Sequence, residues 1–312
     1  MTKWFQVKEQ AAGTKRLLLT WWIYKHFGEF PLRLIAFFIT AGTFVHAKDL
    51  REYSKKYFEV LYKFTGKKSL KPSNLNSFRH FLNYANSLAD KMLAFTGNFS
   101  PEKLTFATED LKSKFVNIIN EKKGAFLIST HIGNIEMMRE FMFLKDYAQG
   151  VKVNVFMQKN QCEIFNGFLD KISHRNNIEL FAIEEIGIET SIKIKEKLDN
   201  GELVYMAGDR LSAQAEDKFY EIGFLNRKIK LPLGIMRFIL LLECPVYFIV
   251  CAKEQTKYVI DYEEFTPNGN KKEDLTKIQK EFGEFLEKNT LKYPYQFYHF
   301  YDLFTQNAGE EV

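Results

Sequence analysis

His131 and Glu136 lie five residues apart in Thr130-His131-Ile132-Gly133-Asn134-Ile135-Glu136, which directly follows the β-rich run Ala125–Ser129. An imidazole and a carboxylate are the parts of a general-base pair. The carboxylate fixes the tautomer and supports the imidazolium, while the other ring nitrogen takes a proton. Gly133 permits a tight turn, and Asn134 is placed to cap a following helix, so the first helical turn can carry Glu136 back toward His131. The same spacing also fits a capping arrangement in which Glu136 serves the helix N-terminus and His131 is a satisfied surface residue. A second cluster, Ala207-Gly208-Asp209-Arg210, follows another strand-like run, Glu202–Met206. Arg210 there suits a phosphate or carboxylate, or else makes an exposed pair with Asp209. A third feature is the basic run Arg227-Lys228-Ile229-Lys230, which reads as an anion contact or as a solvated loop.

These residues need a scaffold, and the pattern after Gly124 supplies one. Strand-like segments at Ala125–Ser129, Val151–Met157, Glu179–Ile183, Glu202–Ala207, Val246–Cys251 and Tyr258–Tyr262 alternate with helical segments. The helices are read at Asn134–Lys145, Glu163–Arg175, Gly187–Asp199, Pro232–Leu242 and Lys271–Asn289. Such alternation argues for an α/β fold with a mixed, mainly parallel sheet flanked by helices. Ligands bind such sheets at the carboxyl ends of the strands, where both His131 and Asp209-Arg210 fall. Before Gly124 the apolar spacing is helical, through Tyr53–Phe64 and Leu75–Phe95, and Thr108 is placed to cap a helix carrying Leu111, Phe115 and Ile118. We therefore read residues 1–100 as a helical N-terminal region and 101–312 as one continuous α/β unit.

The two regions differ in charge. Residues 1–100 hold 16 Lys/Arg against 6 Asp/Glu, and the remainder holds 28 against 33. Trp4, Trp21, Trp22 and Tyr24 lie among Lys3, Lys8, Lys15, Arg16, Lys25 and Arg33. Aromatic and basic residues together suit the headgroup zone of an anionic membrane. The uncharged run Leu34–Ala47 is 14 residues, short of the ~20 that a span needs. It reads as an interfacial helix, a buried core helix, or a short span lengthened by snorkelling side chains. The N-terminus does not resemble a secretory signal, because charged residues precede its first apolar run. Cys162, Cys244 and Cys251 are far apart and form no disulfide framework or zinc spacing, so no metal is expected. The sequence contains no GxSxG, HExxH, GxGxxG or Walker A motif and no nucleic-acid motif.

The His-x4-Glu block after a strand, the later Gly208-Asp209-Arg210 turn and Pro232-x-Gly234 at a helix start together resemble the lipid A biosynthesis acyltransferases of the lysophospholipid acyltransferase superfamily. Tyr293-Pro294-Tyr295-Gln296-Phe297-Tyr298-His299-Phe300-Tyr301-Asp302 resembles that family's Pro-x-Gln-Trp terminus, with Phe297 in the Trp position. The stretch from Glu9-Gln10-Ala11-Ala12-Gly13 to Trp21-Trp22 is similar to a branch of predicted acyltransferases in the same group. The resemblance implies an enzyme on the cytoplasmic face of the inner membrane. Such an enzyme moves a fatty acyl group from acyl carrier protein or coenzyme A to a hydroxyl of a glycolipid or lysolipid, without a bound cofactor. It implies His131 as general base, Glu136 as its orienting carboxylate, and Asn134, Asp209 and Arg210 as substrate-binding groups. An acyl-ester hydrolase using the same dyad and a non-catalytic membrane-surface protein are the competing expectations.

Overall fold

A computed structural model describes residues 14–95, 99–138, 151–159, 162, 178–211 and 217–304. Four helices come first: α1 (Thr14–Phe27), α2 (Glu29–His46), α3 (Lys48–Thr65) and α4 (Asn74–Phe95). They are followed by β1 (Leu104–Phe106), α5 (Glu109–Asn120), β2 (Ala125–Gly133), β3 (Val153–Met157) and β4 (Ile178–Ala182). The chain continues through α6 (Ile188–Asp199), β5 (Leu203–Ala207), β6 (Phe219–Phe224), β7 (Arg227–Pro232), α7 (Leu233–Leu242), β8 (Val246–Glu254), β9 (Lys257–Phe265) and α8 (Lys271–Lys292).

Seven strands form one sheet in the order β1-β9-β8-β2-β5-β3-β4. The strands from β8 across to β4 are parallel, while β9 runs antiparallel to β8 and carries β1 at the edge. The fold is therefore α/β with a mainly parallel mixed sheet, as the alternation predicts. Strand β2 lies at the centre because nearly every residue from Ala125 to Thr130 tolerates burial on both faces. Its side chains alternate. Phe126 and Ile128 enter a core shared with α3, α6, α7 and α8, whereas Ala125 and Leu127 enter a second core shared with β1 and α5. Thr108 caps α5, its side chain accepting from the Leu111 N–H at 3.2 Å.

Two parts of the sequence reading change. Arg227–Lys230 belongs to strand β7 of a two-stranded hairpin, not to a loop. Leu225 and Asn226 both take positive φ (54° and 58°), as a tight primed turn requires. Of the helix expected over Asn134–Lys145, only a 3₁₀ turn at Ile135–Met137 begins within the described residues. The rest lies outside them, as does the expected helix Glu163–Arg175.

The N-terminal helices do two different things. Phe58 and Leu61 of α3 are fully buried in the core beneath the C-terminal segment. By contrast, α1 and α2 leave many of their apolar side chains exposed, although Leu32 is buried and Phe37 and Phe44 pack on Phe78 of α4. Among the described residues no single helix is long and apolar enough to cross a membrane, while α2 and α3 together pass that test as a pair bent by 92°.

Candidate functional site

The register of β2 and β5 brings the two sequence clusters together. Ser129 of β2 pairs with Ala207 of β5. His131 lies two residues further along β2 and Asp209 two residues beyond Ala207 in the turn after β5, so the parallel register carries both to the same edge. Gly208 lets the turn after β5 lie close to β2, since a Cβ there would sit 2.7 Å from the Ile128 side chain. Asp209 is fully buried and accepts two hydrogen bonds from one residue. The His131 main-chain N–H reaches Oδ2 at 2.7 Å, and the ring Nδ1 reaches Oδ1 at 2.6 Å. Because a carboxylate only accepts, Nδ1 carries the proton. Burial opposes the charge of Asp209. The field of His131 and its hydrogen bond, with His299 and Arg210 nearby, outweigh burial and hold the carboxyl far below the usual carboxylate range.

The His131 side chain remains 35% exposed. Among the described residues no hydrogen bond runs to its Nε2, so this nitrogen is available to accept a proton. An imidazole with one nitrogen tied to a buried carboxylate and the other open is the arrangement of a general base.

Glu136, expected to orient His131, is turned elsewhere. It lies on the 3₁₀ turn, its side chain 38% exposed, and forms an ion pair with Lys91 of α4. Burial would raise its pKa, but Lys91 and, more weakly, the field of His131 bring it below the usual value. Glu136 is thus near enough to act on His131 through space, while Asp209 makes the direct contact. The physical reason is placement: the turn after Gly133 faces α4, and β5 lies directly beside β2.

Asn134 is buried and serves the framework. Its side-chain amide donates to Ser87 O at 2.7 Å and its main-chain N–H to Cys251 O at 2.7 Å, and it makes no side-chain cap bond. Gly133 has φ 73°, and a Cβ there would meet Cys251 O at 2.3 Å, so this turn needs glycine to lie against β8. Arg210 donates to Tyr298 O at 2.7 Å. These two expected substrate-binding residues therefore hold the turn and the C-terminal segment in place.

That segment is the part that sequence reasoning left without a role. Residues 293–304 cross the carboxyl edge of the sheet. Gly133 N–H donates to Gln296 O at 2.9 Å and Tyr298 N–H to His131 O at 3.2 Å. The Gln296 side chain exchanges two hydrogen bonds with the Lys253 main chain, both 2.8 Å. From beneath, buried His80 of α4 lies 2.9 Å from Phe297 O and 3.1 Å from Ser54 Oγ. The carbonyl can only accept, so Nε2 of His80 carries the proton and Nδ1 accepts from Ser54. Burial brings His80 down to about 4, against the opposing effect of that carbonyl bond. Lys91 and His299 are the other residues that carried no signal in the sequence beyond their types.

Cys244 and Cys251 are poorly placed to act as thiolate nucleophiles. Burial pushes the Cys244 thiol up to about 12 and the buried Cys251 thiol higher still. Among the described residues no group of His, Cys, Asp and Glu is arranged to hold a metal ion. No protein-family model matches the chain, and no curated protein matches its sequence.

Proposed function

We propose that this chain is a membrane-associated acyltransferase that moves a fatty acyl group from an acyl carrier protein or coenzyme A thioester to a hydroxyl of a glycolipid or lysolipid. The observation that carries this reading is the His131–Asp209 couple at the carboxyl edge of the sheet, with Nδ1 held and Nε2 open. The acceptor hydroxyl gives its proton to His131 Nε2 as its oxygen bonds to the thioester carbonyl carbon. The C–S bond then breaks, and the same proton passes to the departing sulfur. Nucleophile and leaving group are both served by one base, so no acyl-enzyme intermediate is required. Asp209 keeps the ring in the productive tautomer and balances the imidazolium. Glu136 with Lys91 sets a fixed charge pair beside it.

The surface supports a lipid acceptor. Between Leu19 and Val45, ten large apolar side chains are more than a third exposed, among them Trp22 (48%), Phe30 (77%) and Phe38 (64%). This exceeds what scattered surface residues present. Exposed Lys25 and His26 lie in the last turn of α1, and exposed Lys48 opens α3 just after α2. An apolar face with basic ends is the design of a helix lying in the headgroup zone, on the cytoplasmic face of the inner membrane in this proposal.

The test is transfer from labelled acyl carrier protein and labelled acyl-coenzyme A into total lipid extract. Labelled lipid that disappears with His131→Ala is the expected result. Release of free fatty acid alone replaces the transferase by a hydrolase. No turnover of either donor by a folded chain overturns the enzymatic reading.

A further inference from the structure

His299 has no part in the mechanism above, yet it lies against its central carboxylate. The pairing of residues 296–298 with the end of β2 delivers it there, and the Arg210–Tyr298 O bond fixes the peptide immediately before it. Its side chain is 1% exposed, and Nε2 lies 3.6 Å from Asp209 Oδ2. Phe297 covers one side of the ring at 3.8 Å between centroids, and Tyr301 lies 5.0 Å away. Neither ring nitrogen has a hydrogen-bond partner at normal distance among the described residues. A buried polar ring without partners is costly, and a few tenths of an ångström separate Nε2 from hydrogen-bonding range.

Charge decides the form of this ring. Burial, with Arg210 and His131 nearby, outweighs the attraction of Asp209 and keeps His299 neutral at physiological pH. A neutral imidazole has one N–H to give. Asp209 Oδ1 already takes Nδ1–H of His131, and Oδ2 takes its main-chain N–H. Oδ2 keeps one further lone pair, and His299 Nε2 lies 3.6 Å from that atom.

We propose that His299 is a positioning residue, donating from Nε2–H to Asp209 Oδ2 and holding that carboxylate in register with the His131 ring. The reaction then rests on a chain of three groups, His131–Asp209–His299, drawn from β2, the turn after β5 and the C-terminal segment. The catalytic consequence relies on the proposed general-base reading, whereas the hydrogen bond itself does not.

The experiment uses the full chain labelled with ¹⁵N-histidine at neutral pH. First, His299 in the unmutated chain is expected to be the neutral Nε2–H tautomer, identified by the signal lost in His299→Gln. A charged ring or an Nδ1–H tautomer overturns the proposal. Second, the His131 Nδ1–H resonance, identified by its loss in His131→Asn, is expected to broaden away in His299→Phe and to return in His299→Gln, which restores an N–H donor. Third, turnover in the acyl-transfer assay is expected to fall roughly tenfold in His299→Phe at unchanged KM, as for loss of one hydrogen bond to a charged group. An unaltered His131 resonance in folded His299→Phe reduces His299 to packing. Changed resonances in a chain without acyl-transfer activity retain the hydrogen bond and refute the general-base reading instead.

Discussion

The sheet edge and the outer helical pair are built in opposite senses. Around β2 and β5 the apolar side chains are inside, and the charged groups collect at the carboxyl edge. In α1 and α2 many apolar side chains stand outside, while Arg33 of α2 points in. Arg33 of α2 reaches Asp90 of α4 at 2.5 Å and Glu29 at 2.5 Å. Asp90, almost fully buried, also takes Lys253 and Tyr258, each at 2.7 Å. Water alone drives the first arrangement. The second leaves apolar side chains in solvent, and the Arg33–Asp90–Lys253 contacts fasten that pair of helices to the sheet.

The comparison can be broken at either region. The largest effect is expected at the sheet edge: His131→Ala should lower acyl transfer by about 10²–10⁴-fold, the usual contribution of a general base, with an unchanged circular-dichroism melt. Substantial residual transfer by the folded variant removes His131 from the reaction. Asp209→Asn should follow at roughly a hundredfold, and Glu136→Gln should cost less, since Glu136 is bonded to Lys91 and not to His131. Steady-state rates of the pair rank the two carboxylates, and a more severe Glu136→Gln reverses the roles assigned here.

At the junction of the two regions, Asp90→Asn leaves Arg33 and Lys253 partly buried without their counter-charge. Urea unfolding should show a loss of about 3 kcal/mol, at the lower end for a broken buried pair because both cations are partly exposed. A loss within experimental error would mean that the junction is not ionic in origin.

The C-terminal segment should make the fold sensitive to acid. His80 is held near 4 in the folded chain and returns to about 6.5 when unfolded. Between these values the unfolded chain binds the extra proton, so stability is complete above about 6.5 and falls as pH drops toward 4. His80 alone accounts for about 3 kcal/mol of that loss, and His299, also lowered, acts in the same direction. Chemical denaturation at pH 7 and pH 5 measures the slope, which should flatten in His80→Gln. The smallest effect is expected on the outer face. Phe30→Ser with Phe38→Ser should weaken binding to anionic vesicles roughly tenfold, with little change in the melting temperature, because both side chains already stand in solvent. A large stability loss would show that this face is covered within the protein.

Much of the scaffold was legible along the chain. The runs that became β2, β3, β4, β5, β8 and β9 carry their own apolar or alternating pattern, α3 to α8 carry helical spacing, and Thr108 marks the start of α5. β1 escaped because three residues hold no period. The β6–β7 hairpin escaped because Leu225-Asn226 is a weak turn signal and Arg227–Lys230 reads as a solvated basic run. His131 and Asp209 were both legible as strand-end residues, but their pairing was not. They are 78 residues apart in sequence, and only the register of two parallel strands brings them into contact.

The partner of Glu136 was equally hidden, since Lys91 comes from a helix whose position over the turn no local pattern specifies. Sequence by itself therefore determined the chemical inventory, the strand ends that present it, and the basic aromatic character of the first hundred residues. These are local properties of residue type and period. Tertiary structure decided which carboxylate meets the imidazole, which way the apolar faces of α1 and α2 turn, and that the C-terminal segment closes over the site. Those outcomes depend on contacts between distant segments, whose free energies are settled jointly when the sheet, its helices and the segment pack together.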